Sequence, residues 1–205
     1  VGGDYFDVRP LGEGRVVLVV ADVSGKGVPA ALMVATLHSA LLLSLDGGDS
    51  SVDAGLFRGL NRHLVDLSLP NKFITLLLVE LDLGNGCLRY LNAGHNPGLL
   101  LRADGELETL GASGPPLGLL PGADYRLDTL ILRPGDLLCL YSDGITECSS
   151  PADEEFGVHR LEEALRRRRA RPLPILGQEI EALCRDFAQG QAQGDDQTLV
   201  LLRRS

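Results

Sequence analysis

Four aspartates stand beside glycines where a strand is expected to begin or end: Asp4 in VGGDYFD, Asp22 in VVLVVADVSGKG, Asp143 in LLCLYSDG, and Asp195, followed by Asp196, in GDDQTLVLL. Any one of them alone reads as an ordinary turn, because Asp and Gly are common turn residues. Together they describe something else. Carboxylates gathered in one cluster repel each other unless cations sit between them. A hard oxygen donor set without His or Cys selects magnesium or manganese rather than zinc. The chemistry such a cluster supports is two-metal hydrolysis, in which paired ions lower the pKa of a water, hold an anionic substrate and stabilise charge in an in-line displacement. A phosphate ester is the natural substrate class.

The stretch around Asp22 permits a second reading. An apolar strand that meets a Gly-rich turn and enters a helix through Pro29 has the layout of a phosphate cradle. The residues depart from it. A Walker loop requires GxxxxGK followed by Ser or Thr, whereas Gly25, Lys26 and Gly27 are followed by Val28 and Pro29. The dinucleotide pattern GxGxxG also fails, because Ala30 stands at its last position and no acidic residue is suitably placed. A nucleotide-binding switch is thus a rival that an equilibrium titration with ATP or GTP separates.

The elements that must position these aspartates are mixed. The pattern predicts a strand over 15–21 and a helix over 29–45, where ALMVATLHSALLL is apolar on nearly every face and so is buried or forms part of a partner interface. A Gly/Asp/Ser linker, DGGDSS, leads to a second helix over 52–68 that ends before Pro70. From Lys72 onward the short apolar runs KFITLLLVELD, GCLRYLNAG, PGLLLR and ELETLG are separated by LGNG and ADG, turn signals that favour antiparallel hairpins. Two more strands lie in YRLDTLIL and DLLCLYSDG, helices over 157–169 and 174–188, and a last strand in QTLVLLR. Hairpin-linked strands with helices inserted in pairs predict an α+β protein whose antiparallel sheets are covered by helices.

Composition narrows the function. With 205 residues, 44% of them hydrophobic, the chain can bury a large core as one domain. A net charge of −9 argues against nucleic acid as the main partner. Four cysteines without CxxC and four histidines without HExxH argue against a zinc site or a disulfide framework, and Cys87 and Cys139 read as small core residues. No apolar run is read as combining the length and flanks of a membrane span, and the signal-peptide order is missing, so the expectation is a soluble, cytoplasmic chain.

Seven motifs, in order GGDYFD, ADVSGKGVPAALM, AGHNPGLLL, GPPLGLLP, LRPGDLLCLYSDGITE, EFG and GDDQTLVLLR, carry a family resemblance from Val1 to Arg203. The chain resembles the PPM (protein phosphatase 2C-like) family of metal-dependent Ser/Thr protein phosphatases, in its bacterial SpoIIE/RsbU-type branch. The resemblance implies an α+β fold, an αββα sandwich of two mainly antiparallel β-sheets flanked by helices. It implies one phosphatase domain over 1–205, the C-terminal part of a longer signalling protein with an upstream sensor or regulatory domain, and a homodimer is compatible with it. The implied cofactors are two divalent cations, Mn2+ or Mg2+. The implied substrate is phosphoserine or phosphothreonine on a phosphorylated STAS-domain anti-anti-sigma factor, whose release frees a sigma factor by partner switching.

Position by position, Asp4, Asp22, Asp143 and Asp195 would bind metal through carboxylates and Val23 through its main-chain carbonyl. Asp22 would bridge the ions, and Asp22 and Asp143 would act in catalysis through the activated water. Asp196, where many relatives have Asn, and Lys26 are placed one step removed from the ions. Eukaryotic relatives carry a His two residues after the bridging Asp, where this chain has Ser24, so the leaving oxygen is protonated by water at the metal or with help from Lys26. His95 reads as a hydrogen-bonded turn residue before Pro97 rather than a substrate contact. Ser142 lacks a GxSxG setting, and Asp7 reads as either a supporting group or a strand-end cap. The arginines 166–169 and Arg171 read first as stabilising a helix C-terminus, with docking of an acidic partner as the second reading. A shift of the apolar helix after Asp22 could assemble or dismantle the metal site, which predicts low activity in the isolated domain. The alternative from another class is a pseudophosphatase that binds partners without chemistry.

Overall fold

The computed structural model describes residues 2–45, 52–67 and 72–205. The expected linker over 46–51, and the end of the second helix at Ser68 before Pro70, lie outside the described residues. In chain order the elements are β1 (Asp4–Gly12), β2 (Arg15–Val23), α1 (Val28–Leu45), α2 (Ala54–Asp66), β3 (Ile74–Asp82), β4 (Cys87–Ala93) and β5 (Gly98–Leu101). They continue with β6 (Leu107–Leu110), β7 (Asp128–Ile131), β8 (Leu137–Tyr141), α3 (Asp143–Thr146), α4 (Gly157–Arg168), α5 (Leu173–Ala188) and β9 (Leu199–Arg203). The chain divides into two compact units, one of Val1–Pro97 and Leu110–Leu132, the other of Gly98–Thr109 and Arg133–Ser205.

The first unit is built on a five-stranded antiparallel sheet of order β1-β2-β3-β4-β7. Alternate residues of a strand face opposite sides, and Val17, Val19, Ala21 and Val23 of β2 join Ile74, Leu76 and Leu78 of β3 in one core. Helices α1 and α2 close that core. From α1 come Ala30, Met33, Leu37, Leu41 and Leu45, and from α2 Phe57, Leu60 and Leu64, a spacing that puts each set on one helix face. Asp53 caps α2, its Oδ1 accepting the Leu56 N–H at 2.9 Å. Leu18, Val20, Leu77 and Val79 are buried as well, so the central strands bury both faces, which explains why their sequences read as continuous apolar runs.

The second unit holds a four-stranded antiparallel sheet of order β6-β5-β8-β9. Leu99, Leu101, Leu137, Cys139 and Tyr141 pack there against Leu161 and Leu165 of α4 and Leu176, Ile180 and Cys184 of α5. A buried ion pair braces one end: Arg102 Nη1 donates to Asp136 Oδ2 at 2.6 Å, and Asp136 also accepts the Ala103 and Arg133 N–H groups. At the C-terminal end of α4, the Arg203 guanidinium donates to the carbonyls of Arg169 and Arg171.

The α+β class and the antiparallel sheets flanked by helices are as expected; several details differ. A strand was expected to begin or end at Asp4, but the run of β1 from there to Gly12 was not anticipated. Its residues 5–12 alternate between half-buried and exposed, with Phe6 and Val8 exposed, Asp7 and Arg9 paired on the other face at 3.2 Å, and Pro10 inside it. β8 ends at Tyr141, so that Asp143 opens the one-turn helix α3 instead of closing a strand. Cys87 is only half-buried, whereas Cys139 is fully enclosed and burial pushes its thiol up to about 12. By length and composition alone α1 is apolar enough to cross a bilayer. Its buried stripe of Ala30, Met33, Leu37, Leu41 and Leu45 packs into the core, while Val28, Leu32 and Leu43 remain exposed.

Candidate metal centre

In the first unit the antiparallel register sets Asp4 directly opposite Asp22, and Asp22 directly opposite Thr75. Cross-strand partners share a sheet face, so both carboxylates stand on the side away from α1 and α2, one on each of two neighbouring strands. Such partners have Cβ atoms about 5 Å apart, and two carboxylates at that spacing repel by on the order of 1–3 kcal/mol at an effective dielectric of about 20. A cation between them converts the repulsion into attraction.

Gly3 completes the arrangement. A Cβ added there would lie 2.8 Å from the Val23 carbonyl oxygen and 2.9 Å from Asp22 Oδ1. These two oxygens therefore converge on space that only a glycine leaves open. The Gly3 carbonyl accepts the Val23 N–H at 3.1 Å, which holds the two segments together. Oxygen donors from two carboxylates and a main-chain carbonyl suit Mg2+ or Mn2+.

The turn after Asp22 is held from one side by the start of β3. Ser24 N–H donates to the Phe73 carbonyl at 3.0 Å, and Phe73 N–H donates to Ser24 Oγ at 3.0 Å. The Lys72 ammonium donates to the Ser24 carbonyl at 2.8 Å and stands where a side chain at Gly25 would project. Gly25 and Gly27 have φ of +87° and +83°, the left-handed region that favours glycine. Thr75 Oγ1 contacts both the Asp22 carbonyl, at 3.4 Å, and His95 Nδ1, at 2.8 Å. Lys26, by contrast, is exposed. The cation built into this turn is Lys72, which sequence reasoning passed over because nothing in KFITLLLVELD marks its lysine as different from a solvated one.

In the second unit Asp143 is half-buried at the start of α3, directly after the fully buried Ser142. The 195–198 segment is clamped against it. Ser142 N–H donates to the Thr198 carbonyl at 3.1 Å, Thr198 N–H to Ser142 Oγ at 3.0 Å, and Gln197 Nε2 to the Gly144 carbonyl at 2.9 Å. A Cβ at Gly144 would collide with the Asp196 carbonyl. Ser142 is thus a buried clasp, and its hydroxyl also reaches the Asp196 carbonyl at 3.4 Å. Asp195 is exposed and Asp196 half-buried. Glu147, not anticipated as part of this group, is exposed as a residue, yet local desolvation and then the charges of Asp143, Glu155 and Asp195 hold its carboxyl above the ordinary value.

Among the described residues no three His, Cys, Asp or Glu side chains stand together as a metal cage. What the structure brings together is Asp4, Asp22 and the Val23 carbonyl in one unit, and Asp143 beside the Asp195–Asp196 segment in the other. Asp7 lies within β1, bonded to Arg9 and accepting from Tyr5 Oη at 3.3 Å, so it neither caps nor ends a strand.

Residues 12–205 match the family of Stage II sporulation protein E (SpoIIE). The chain belongs to that family and is a phosphatase domain of the protein phosphatase 2C type, SpoIIE/RsbU branch. It is 30% identical to Protein IcfG of Synechocystis sp., over 100% of this chain and 36% of that protein. It is 31% identical to phosphoserine phosphatase RsbU of Bacillus subtilis, over 72% of this chain and 44% of that protein. The chain therefore spans less than half the length of these relatives. The solved SiaA-PP2C domain of Pseudomonas aeruginosa matches with a TM-score of 0.89 at 24% identity, over 100% of this chain and 82% of that one, which supports the fold.

Proposed function

We propose that this chain is a metal-dependent phosphatase that hydrolyses phosphoserine or phosphothreonine on a partner protein. The observation that carries the reading is the Asp4–Asp22 cross-strand pair beside the Val23 carbonyl, with Gly3 leaving open the space where those oxygens converge. Divalent cations, Mn2+ or Mg2+, would be held in the first unit by Asp4, Asp22 and the Val23 carbonyl, and the family resemblance adds Asp143 and Asp195 of the second unit to the ligands. The chemistry such ions would supply is a lowered pKa for a water and charge neutralisation at the substrate's phosphate.

The residues of the chain orient and anchor. β1 and β2 keep two carboxylates in fixed register, while Lys72 and Phe73 hold the backbone of the turn that follows Asp22. Ser142 and Gly144 set the distance between Asp143 and the segment carrying Asp195 and Asp196. Ser24 stands two residues after Asp22 where a general acid would be, but it offers an ordinary alcohol, far too weak an acid for that role, whose oxygen accepts the Phe73 N–H. The leaving serine oxygen accordingly takes its proton from water, with Lys26 as the weaker alternative. The partner of this reading is a phosphorylated STAS-domain protein in the cytoplasm, with a sensor or regulatory domain as input; family resemblance and the name phosphoserine phosphatase borne by RsbU support it.

The test is an assay with Mn2+ on a phosphoserine protein, comparing the wild type with Asp22→Ala and Asp143→Ala. Losing a ligand should cost roughly 100-fold in kcat/KM, at least the upper end of what an outer partner of a metal site costs. Equal activity in all three proteins would sink the metal assignment. Inactivity of the wild type on its cognate phosphoprotein would favour a binding module without chemistry.

A further inference from the structure

We infer that His95 is a positioning residue for Asp22, acting through Thr75. The inference rests on the metal-binding reading of Asp22 given above.

Asp4 of β1, Asp22 of β2 and Thr75 of β3 form one row across three neighbouring strands, and His95 follows β4, the next strand in the sheet. The Thr75 hydroxyl stands between its neighbours, 2.8 Å from His95 Nδ1 and 3.4 Å from the Asp22 carbonyl oxygen. A hydroxyl has one hydrogen to give. The Asp22 carbonyl can only accept, so in the inferred route Thr75 donates to it and accepts from His95. The route requires the hydrogen on Nδ1 of the imidazole. The direction of donation then runs from His95 to Thr75 to the peptide joining Asp22 and Val23.

The histidine is itself held. It is 4% exposed, its backbone N–H donates to Asn92 Oδ1 at 2.7 Å, and the Asn92 amide donates to the Leu110 carbonyl at 3.0 Å. The imidazole is thus fixed before any ion arrives. The Asp22–Val23 peptide lies between the two α-carbons from which the Asp22 carboxylate and the Val23 carbonyl project, so holding its carbonyl steadies the backbone that carries both proposed ligands. Groups that orient the ligands of a metal commonly matter about 10–100-fold in affinity.

The test is Mn2+ titration by calorimetry on the intact chain, with Thr75→Val, Thr75→Ser, His95→Ala, His95→Asn and Asp22→Ala. Thr75→Val is nearly isosteric and removes only the hydroxyl, and with His95→Ala it is expected to weaken Mn2+ binding about 10-fold. Thr75→Ser keeps the hydroxyl and should stay within about 2-fold of wild type. His95→Asn, which returns an amide N–H close to the Nδ1 position, should recover part of the loss. Since both residues act along one route, the double variant Thr75→Val/His95→Ala should bind no more weakly than the worse single variant. Nitrogen NMR should find His95 in the Nδ1–H tautomer. Wild-type affinity in Thr75→Val and His95→Ala, while Asp22→Ala loses binding, would overturn the inference and leave the metal reading standing. So would an Nε2–H tautomer. Unchanged binding in Asp22→Ala would overturn both.

Discussion

Replacing Gly144 with alanine sets two local rules against each other. Gly144 lies in α3 with no positive φ, so by backbone preference alone alanine should be tolerated and should stabilise the turn by up to about 1 kcal/mol. Its Cβ, however, would fall on the Asp196 carbonyl, a backbone atom that cannot rotate away as a side chain would. Relieving that overlap means moving the 195–198 segment, at an overpacking cost of about 1–3 kcal/mol. The shift also strains three hydrogen bonds, from Gln197 Nε2, Thr198 N–H and Ser142 Oγ, each worth about 0.5–1.5 kcal/mol. The propensity gain is too small to offset these losses, and a net destabilisation of about 2 kcal/mol is expected. For a chain of this size that lowers Tm by roughly 4–8 °C, readable by circular dichroism. Displacing Asp195 and Asp196 relative to Asp143 should in addition weaken Mn2+ binding about 10-fold in a calorimetric titration. A Gly144→Ala protein as stable as the wild type, with unchanged Mn2+ affinity, would refute the claim that this close approach sets the Asp195–Asp196 segment against Asp143.

Gly3→Ala is the corresponding experiment in the first unit: its Cβ would press on Asp22 Oδ1 and the Val23 carbonyl, and Mn2+ affinity should fall at least about 10-fold while the metal-free protein melts within a few degrees of wild type. Acid unfolding should report Asp136. Burial alone would raise its carboxyl, but the Arg133 N–H, the Arg102 guanidinium and the Ala103 N–H outweigh burial and hold it below the ordinary value. A carboxylate depressed in the folded state stabilises above its unfolded pKa of about 3.9, and that stability is lost as pH falls through the lower folded value. Asp136→Asn should therefore flatten the stability profile below about pH 4. It should also cost about 3–5 kcal/mol at neutral pH, because Arg102 loses a buried partner. Urea titrations across pH measure both effects.

Much of the fold could be read from the residues because the central strands are unbroken apolar runs between turn signals: β3 and β4 flank LGNG, where the Asp82 carboxylate accepts the Gly84 and Asn85 N–H groups. β1 escaped because half of its face is exposed and it contains charges and a proline, features that local pattern alone assigns to a loop. The four aspartates were legible through their glycines, since Gly3 and Gly144 are required by close backbone approach at those very places. Thr75 and Lys72 were not. Their roles arise from pairing with residues about 50 positions earlier, 48 for Lys72 and 53 for Thr75, and only strand register reveals it. His95 was read as a turn residue, and it is one, but its imidazole partner lies on a different strand.

Asp4 begins a strand at the edge of its sheet, hydrogen-bonded within that sheet to β2 alone. An edge strand is the segment most prone to open locally, and here opening also relieves the repulsion between Asp4 and Asp22. Ion binding on the proposed pair would oppose that opening by mass action, by about 2.7 kcal/mol at a free ion concentration 100 times Kd. The N-terminal strand then acts as a latch whose closure is set by the supply of divalent cations. Scarcity of metal would show as fraying and protease sensitivity at 4–12 well before the rest of the protein unfolds.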